Sequence, residues 1–203
     1  MADHFNTILP SGVNIASMEF TSNQPTVRTQ SLSGRTQVRS FGGQFWTARI
    51  TMQTMTRSEL RKVYGFLVKQ KGGFTAFTIS PTPLTETTVS GVTTVGIKSS
   101  STTAQKALGS TSIEVDDVNK FTAGDMINFN NSGHTKAYMV TTTLTSDHTI
   151  DFEPGLVQAV ADTDSVLAGS NFKLTCRLAG DEIRQRTDST GYGTLEFDVV
   201  EAV

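Results

Sequence analysis

The side chains able to do chemistry are few and scattered. His4, His134 and His148 lack the close spacing of a helical His pair with a nearby acid, the pattern that would hold a metal. His134 falls in the turn Asn130–His134, rich in Asn, Ser and Gly, and reads as a solvated loop residue. Asp116, Asp117 and Asp125 raise the idea of calcium, but the regular ladder of oxygen ligands and the closing Glu of a loop site are missing. Asp125, directly after Gly124, is better explained as a turn former. Asp151 and Glu153 sit two apart on one strand, yet nothing else in the sequence builds the cleft that a glycosidase carboxylate pair needs. Cys176 is the only cysteine, so no disulfide can form within the chain and the residue reads as a small buried hydrophobe. No nucleophile elbow, phosphate loop or dinucleotide fingerprint is present. The expectation is a protein that is not an enzyme and carries no catalytic residue, no metal and no cofactor.

Composition points to architecture instead. Of 203 residues, 36% are hydrophobic and 18% charged, with Thr, Ser and Gly filling the difference. Such a mixture suits short twisted strands joined by turns. The net charge of −2 excludes a strongly basic nucleic-acid binder. The charge is uneven, however. Residues 1–81 carry nine Lys/Arg against three acids, and residues 82–171 carry four Lys against ten acids. That step marks a change of domain near residue 82. No apolar run reaches the ~18 residues of a membrane span, and Met1–Phe5 lacks the features of a signal peptide. A soluble protein made in a cytoplasm is expected.

Any function must rest on elements that position a surface, and one stretch dominates, Thr47–Ile79. Thr56 with Glu59 three residues later predicts a capping box, and Met55 with Leu60 a hydrophobic staple. Leu60, Val63, Tyr64, Leu67 and Val68 make one apolar stripe at helical spacing, predicting a helix over 56–71. Gly72 or Gly73 is expected in the left-handed position that ends it. Arg57, Arg61, Lys62, Lys69 and Lys71 make the helix basic, which reads as a solvated face. On either side, Trp46, Ala48, Ile50 and Met52 form the core face of a strand, and Phe74–Ile79 alternates as a second. Upstream, Met1–Pro10 reads as an extended arm, Ile15–Thr21 as a half-buried strand and Val27–Leu32 as another. A turn at Gly42–Gly43 is expected to join two further strands within 35–54.

Downstream, short strands recur at ~10-residue spacing: Val92–Ile97, Ser112–Val115, Met126–Phe129, Ala137–Thr141, Thr149–Phe152 and Ser165–Leu167. This implies a small barrel or sandwich. Its aromatics, Phe121, Phe129, Tyr138 and Phe152, are spaced as core residues, and its acidity argues against oligonucleotide binding. Longer alternation returns with Phe172, Leu174, Cys176 and Leu178 on one face, then Leu195, Phe197 and Val199 on another. These strands would complete the first domain's sheet, making the middle block an insertion.

The order of these features resembles the distal tail proteins of long-tailed bacteriophages, most closely the compact kind of the T-five group. The features that carry the likeness are the strand–helix–strand unit Trp46–Ile79, the insertion after Pro81-Thr82-Pro83, and the segments Ala123–Ile127 and Lys136–Val140. The return strand Phe172–Leu178 and the closing Phe197–Val200 complete it. The resemblance implies a mainly β fold with one α-helix. A β-sandwich or split-barrel hub domain (residues 1–81 and 172–203) would carry an inserted small barrel of the oligonucleotide-binding kind (82–171). It also implies a virion protein, a homo-hexameric ring at the tail tip. The ring would join the tail-tube protein to the baseplate hub or tip protein, with the tape-measure protein and a side-fibre collar as further partners. DNA would meet it only in transit through the channel. A ring interface is expected at strand edges carrying Phe41, Gln44, Thr47, Arg49, Thr51, Thr75 and Phe77. The brace behind it would be Trp46, Thr56, Glu59, Leu60, Val63, Leu67 and Gly72. The alternative reading is a carbohydrate-binding β-module for host attachment.

Overall fold

The computed structural model describes residues 3–9, 13–40, 42–81, 94–98, 105–116, 121–131, 133–143 and 148–202. Phe41, Asp117 and the stretch 82–93 lie outside them. In chain order the first strands are β1 (Asp3–His4), β2 (Ile15–Asn23), β3 (Thr26–Gln30), β4 (Thr36–Ser40), β5 (Phe45–Met52) and β6 (Met55–Thr56). Helix α1 (Arg57–Lys69) and β7 (Phe77–Ile79) follow. Then come β8 (Thr94–Gly96), β9 (Gln105–Lys106), β10 (Ser112–Glu114), β11 (Met126–Phe129), β12 (Tyr138–Val140), β13 (Thr149–Glu153), β14 (Val160–Ala161) and β15 (Ser165–Leu167). The chain closes with β16 (Leu174–Leu178), β17 (Arg184–Thr187) and β18 (Tyr192–Glu201).

Two sheets carry most of these strands. The larger runs β1-β7-β16-β18-β5-β2, with β6 and β17 also paired to β18. The smaller runs β10-β13-β12-β11-β15-β8. The expected sandwich, split barrel and inserted barrel are all corrected by this topology: among the described residues no sheet closes into a barrel or curls strongly. In the smaller sheet the end strands β8 and β10 meet only at a single bridge, Ile97 to Val115. Each end strand is three residues long. Among the described residues no continuous ladder joins the two ends. In the larger sheet the face that a second sheet would cover is packed by α1 instead.

Parity explains that face. Trp46, Ala48, Ile50 and Met52 of β5 point inward, as do Leu195, Phe197 and Val199 of β18 and Leu174, Cys176 and Leu178 of β16. On β2 a bulge between Ile15 and Ser17 brings Ile15 to the same side as Met18. Helix α1 lays Leu60, Val63, Phe66 and Leu67 into this layer. The stripe is rotated from the expected one: Phe66 replaces Val68, which is exposed. Phe66 earns its place by edge-on contact with Phe5 and Phe77, at centroid distances of 5.6 and 5.5 Å. Gly193 leaves room for Leu60, whose Cδ2 would lie 2.8 Å from any Cβ there.

The helix ends follow from local chemistry. Thr56 accepts from the Glu59 amide through Oγ1, and Glu59 Oε2 accepts from the Thr56 amide at 2.8 Å. Met55 and Leu60, before and after the cap, are both fully buried. At the other end Lys71, not a glycine, takes the first left-handed conformation (φ 55°). Gly72 follows at φ 63°, where a Cβ would sit 2.5 Å from Asp181 Oδ1. The chain then makes a short 3-10 turn over Gly72–Phe74, so β7 starts later than the alternation from Phe74 predicts.

A second buried cluster lies within residues 95–168. Phe129, Tyr138 and Phe152 stack edge-on around its centre, with centroids 5.3–5.8 Å apart. The first cluster is drawn from residues 5–79 and 172–199, together with Met126 and Ala137.

Candidate assembly surface

The predicted interface residues that are described, all but Phe41, do not offer a free strand edge. Strand β5 is flanked by β18 and β2, and β7 by β1 and β16, so both backbone edges of each are occupied within the chain. Phe77 is fully buried against Phe5 and Phe66. Gln44 is buried too; its Nε2 donates to Ser22 Oγ at 2.9 Å. Thr75 is half-buried, and its amide donates to the Gln70 carbonyl. Thr47, Arg49 and Thr51 stand on the outer face of β5, where Arg49 pairs with Glu196. They are available as a face, not as an edge. Among the brace residues, Trp46, Leu60, Val63 and Leu67 are buried, and Thr56, Glu59 and Gly72 hold the helix ends as described above. The unpaired edges of the large sheet are those of β2 on one side and of β1 and β17 on the other.

Behind β5 lies a polar cluster that the sequence reading missed. Lys136 and Glu201 form an ion pair at 2.5 Å, with side chains 1% and 0% exposed. Lys136 Nζ also donates to the Gln44 carbonyl at 2.7 Å. Glu201 accepts from the amides of Trp46 (3.1 Å) and Ala137 (2.7 Å). The Trp46 indole N–H completes the set by donating to the Ala137 carbonyl at 2.9 Å. A buried charge is tolerated only when paired and hydrogen-bonded, and both charges here are. The cluster therefore fixes the Lys136–Ala137 segment to the end of β18 and the start of β5. The signal was in the parity: Glu201 continues the inward series Leu195, Phe197, Val199, and a carboxylate on a core face demands a partner.

His134 is also corrected. It is buried, with Nε2 2.7 Å from the Tyr138 hydroxyl. Burial lowers its pKa, while burial pushes the Tyr138 phenol up to about 12. Tyr138 therefore keeps its proton, and the contact joins a neutral phenol to a neutral imidazole. The same hydroxyl accepts from the Val157 amide at 3.2 Å. Burial likewise holds the Cys176 thiol protonated, well above its ordinary range, so it is no nucleophile.

Strands β3 and β4 form the most distinctive surface. They pair only with each other, Thr26 opposite Ser40 through Gln30 opposite Thr36. Every residue of both is exposed. The strands expected on either side of Gly42–Gly43 are β4 and β5; β4 pairs with β3 and β5 with β2 and β18. Each face of this ribbon carries one Val beside one Arg: Val27 opposite Arg39, and Val38 opposite Arg28. At the tip, Ser31 N donates to Arg35 O and Gly34 N to Ser31 O, and Leu32 between them is fully exposed (111%). At the root is an open cleft of about 620 Å³ walled by Gly42, Phe45, Pro154, Leu156 and Val157.

The basic helix face stays in solvent. Arg57, Arg61 and Lys62 are exposed, and Lys69 pairs with Asp3 at 2.5 Å. Among the described residues no three His, Cys, Asp or Glu side chains converge on a metal-sized site. Among the same residues no helix is long and apolar enough to cross a membrane. Comparison with protein-family models and with curated proteins returned no match.

Proposed function

We propose that the chain is a structural assembly protein whose copies join head to tail into a ring at the distal end of a phage tail. In this reading the large sheet and α1 form the ring, and residues 82–171 stand against it. The ring joins the tail tube to the baseplate hub and leaves a channel for DNA. The observation that carries the reading is the β3–β4 ribbon. A lone two-stranded ribbon is marginal in water, because neither face is covered. This one exposes Val27, Leu32 and Val38, with no core of its own beneath them. Such an arm gains its stability from a neighbour. The buried Lys136–Glu201 cluster supports the same reading, since it makes the molecule one stiff building piece.

Native mass spectrometry and negative-stain imaging of the purified chain test this. The expected result is a six-fold ring. A monomer at micromolar concentration that binds a glycan array would overturn it in favour of a carbohydrate-binding module.

A further inference from the structure

The tip of the ribbon carries an exposed apolar side chain and the cleft at its root an exposed apolar rim, yet the two cannot meet within one chain. Leu32 is the most exposed large hydrophobe described, held on a turn closed by two backbone hydrogen bonds. The cleft is lined by Phe45 and by Val157, 43% exposed at its rim, over the buried Pro154 and Leu156, with the buried Gln44 and Glu201 also among its lining. Its floor is backbone. Gly155 and Gly109 lie so close that a Cβ on Gly155 would fall 2.8 Å from the Gly109 carbonyl. Gly42, at φ 79°, has open space where a side chain would be. Because five residues of each strand separate tip from root, the two lie about 17 Å apart. With β3 and β4 paired along their length, the tip does not reach back to its own root.

We propose that Leu32 of one copy seats in the cleft between Phe45 and Val157 of the next copy. This rests on the ring reading and names the contact that would build it. Charge supports a second copy as the occupant. The ribbon carries Arg28, Arg35 and Arg39 and no acid, whereas the block that supplies half the cleft wall is net acidic, with Glu153 exposed beside Pro154. The knob and the hole lie at different places on one chain, so the contact is heterologous. It propagates round until rotation closes it.

The test is cysteine cross-linking in the full chain, where native Cys176 is buried and silent. The variant Leu32→Cys/Val157→Cys, oxidised with diamide, is expected to give a ladder of covalently joined chains on a non-reducing gel. Either single variant gives none. Leu32→Asp is expected to raise the concentration needed for assembly by about tenfold or more, because a charge would have to enter an apolar cleft. If the unmodified chain forms rings while the double variant gives no ladder and Leu32→Asp assembles undiminished, the contact is wrong and the ring reading stands. A disulfide within one chain would also overturn it. If the unmodified chain forms no ring and the double variant no ladder, both fail together.

Discussion

Strands β2 and β5 and strands β3 and β4 are two halves of one antiparallel ribbon, interrupted at Gln24–Pro25 on one side and at 42–44 on the other. Their local chemistry is alike: alternating Thr, Ser and Arg with a few apolar residues. Their fates differ. In the inner half, Trp46, Ala48, Ile50 and Met52 line up on one face, and helix α1 shares the core beneath them. In the outer half the two valines stand on opposite faces, so no apolar side exists to bury. Hydrogen-bonded pairing alone is the same in both. What separates a sheet from an arm is whether the parity of the apolar residues gives packing something to act on.

The comparison makes the inner half fragile to core changes. The largest effect is expected at Glu201. Replacing it with Gln leaves Lys136 buried without a counter-charge, which should destabilise the fold by about 3–5 kcal/mol. Urea unfolding would read this. Adding Lys136→Met should recover part of the loss, since the uncompensated charge is then gone. An unchanged midpoint for Glu201→Gln would show that the cluster does not hold the inner half in place. Next comes the helix. Leu67→Ala or Leu60→Ala should cost about 2–5 kcal/mol each, because both side chains are fully buried under the sheet. Assembly should fall with stability in these variants, and full assembly after such a loss would break the link between helix and ring.

Much of the inner half was legible in the sequence. Alternation fixes which residues of β5, β16 and β18 face inward, and Thr56 with Glu59 marks the helix start because capping is chemistry within four residues. Longer-range facts were not legible. Arg184–Thr187 has no apolar residue and so no alternation to mark it; it becomes β17 because the long β18 presents an edge to it. Gln44 and Phe77 read as surface contacts because sequence does not say which strands are interior. His134 reads as solvent-exposed until the fold places Tyr138 and Phe129 against it. The barrel was overread from strand spacing, since closure depends on strand tilt and stagger, which spacing along the sequence does not show. The Lys136–Glu201 pair spans 65 residues, and only the parity of Glu201 hinted at it.

Smaller effects sharpen the contrast further. Thr56→Ala removes the helix cap and should lower stability by about 1 kcal/mol in the same urea titration. Acid is a gentler probe. Burial holds the pKa of His134, and in larger part that of His4, below the ordinary 6.5. The unfolded chain therefore takes up those protons first. Stability is complete above pH 6.5 and falls as the pH drops below it toward the lowered native values. Glu59, Asp188 and Glu196, held low by their hydrogen bonds, add a loss of the same sign only in the carboxylate range. Unfolding midpoints between about pH 7.5 and 5.5 thus isolate the histidines. His134→Asn should flatten that slope; an unaltered slope would assign it to His4.

The smallest effect on the fold is expected in the outer half, and it is the most informative. Val27→Thr and Val38→Thr change exposed side chains that touch no core cluster, so the monomer should shift by no more than about 0.5 kcal/mol. Thermal unfolding below the assembly concentration would measure this. Assembly is a different matter. If a neighbour covers the ribbon, both valines lose water only in the ring, and removing them weakens association without touching the subunit. A variant with unchanged melting and a raised assembly threshold would separate the two halves of the ribbon by function as cleanly as they are separated by burial. Loss of monomer stability instead would mean that the outer half packs on the rest of its own chain. The arm would then be part of the fold and not a device for meeting another copy.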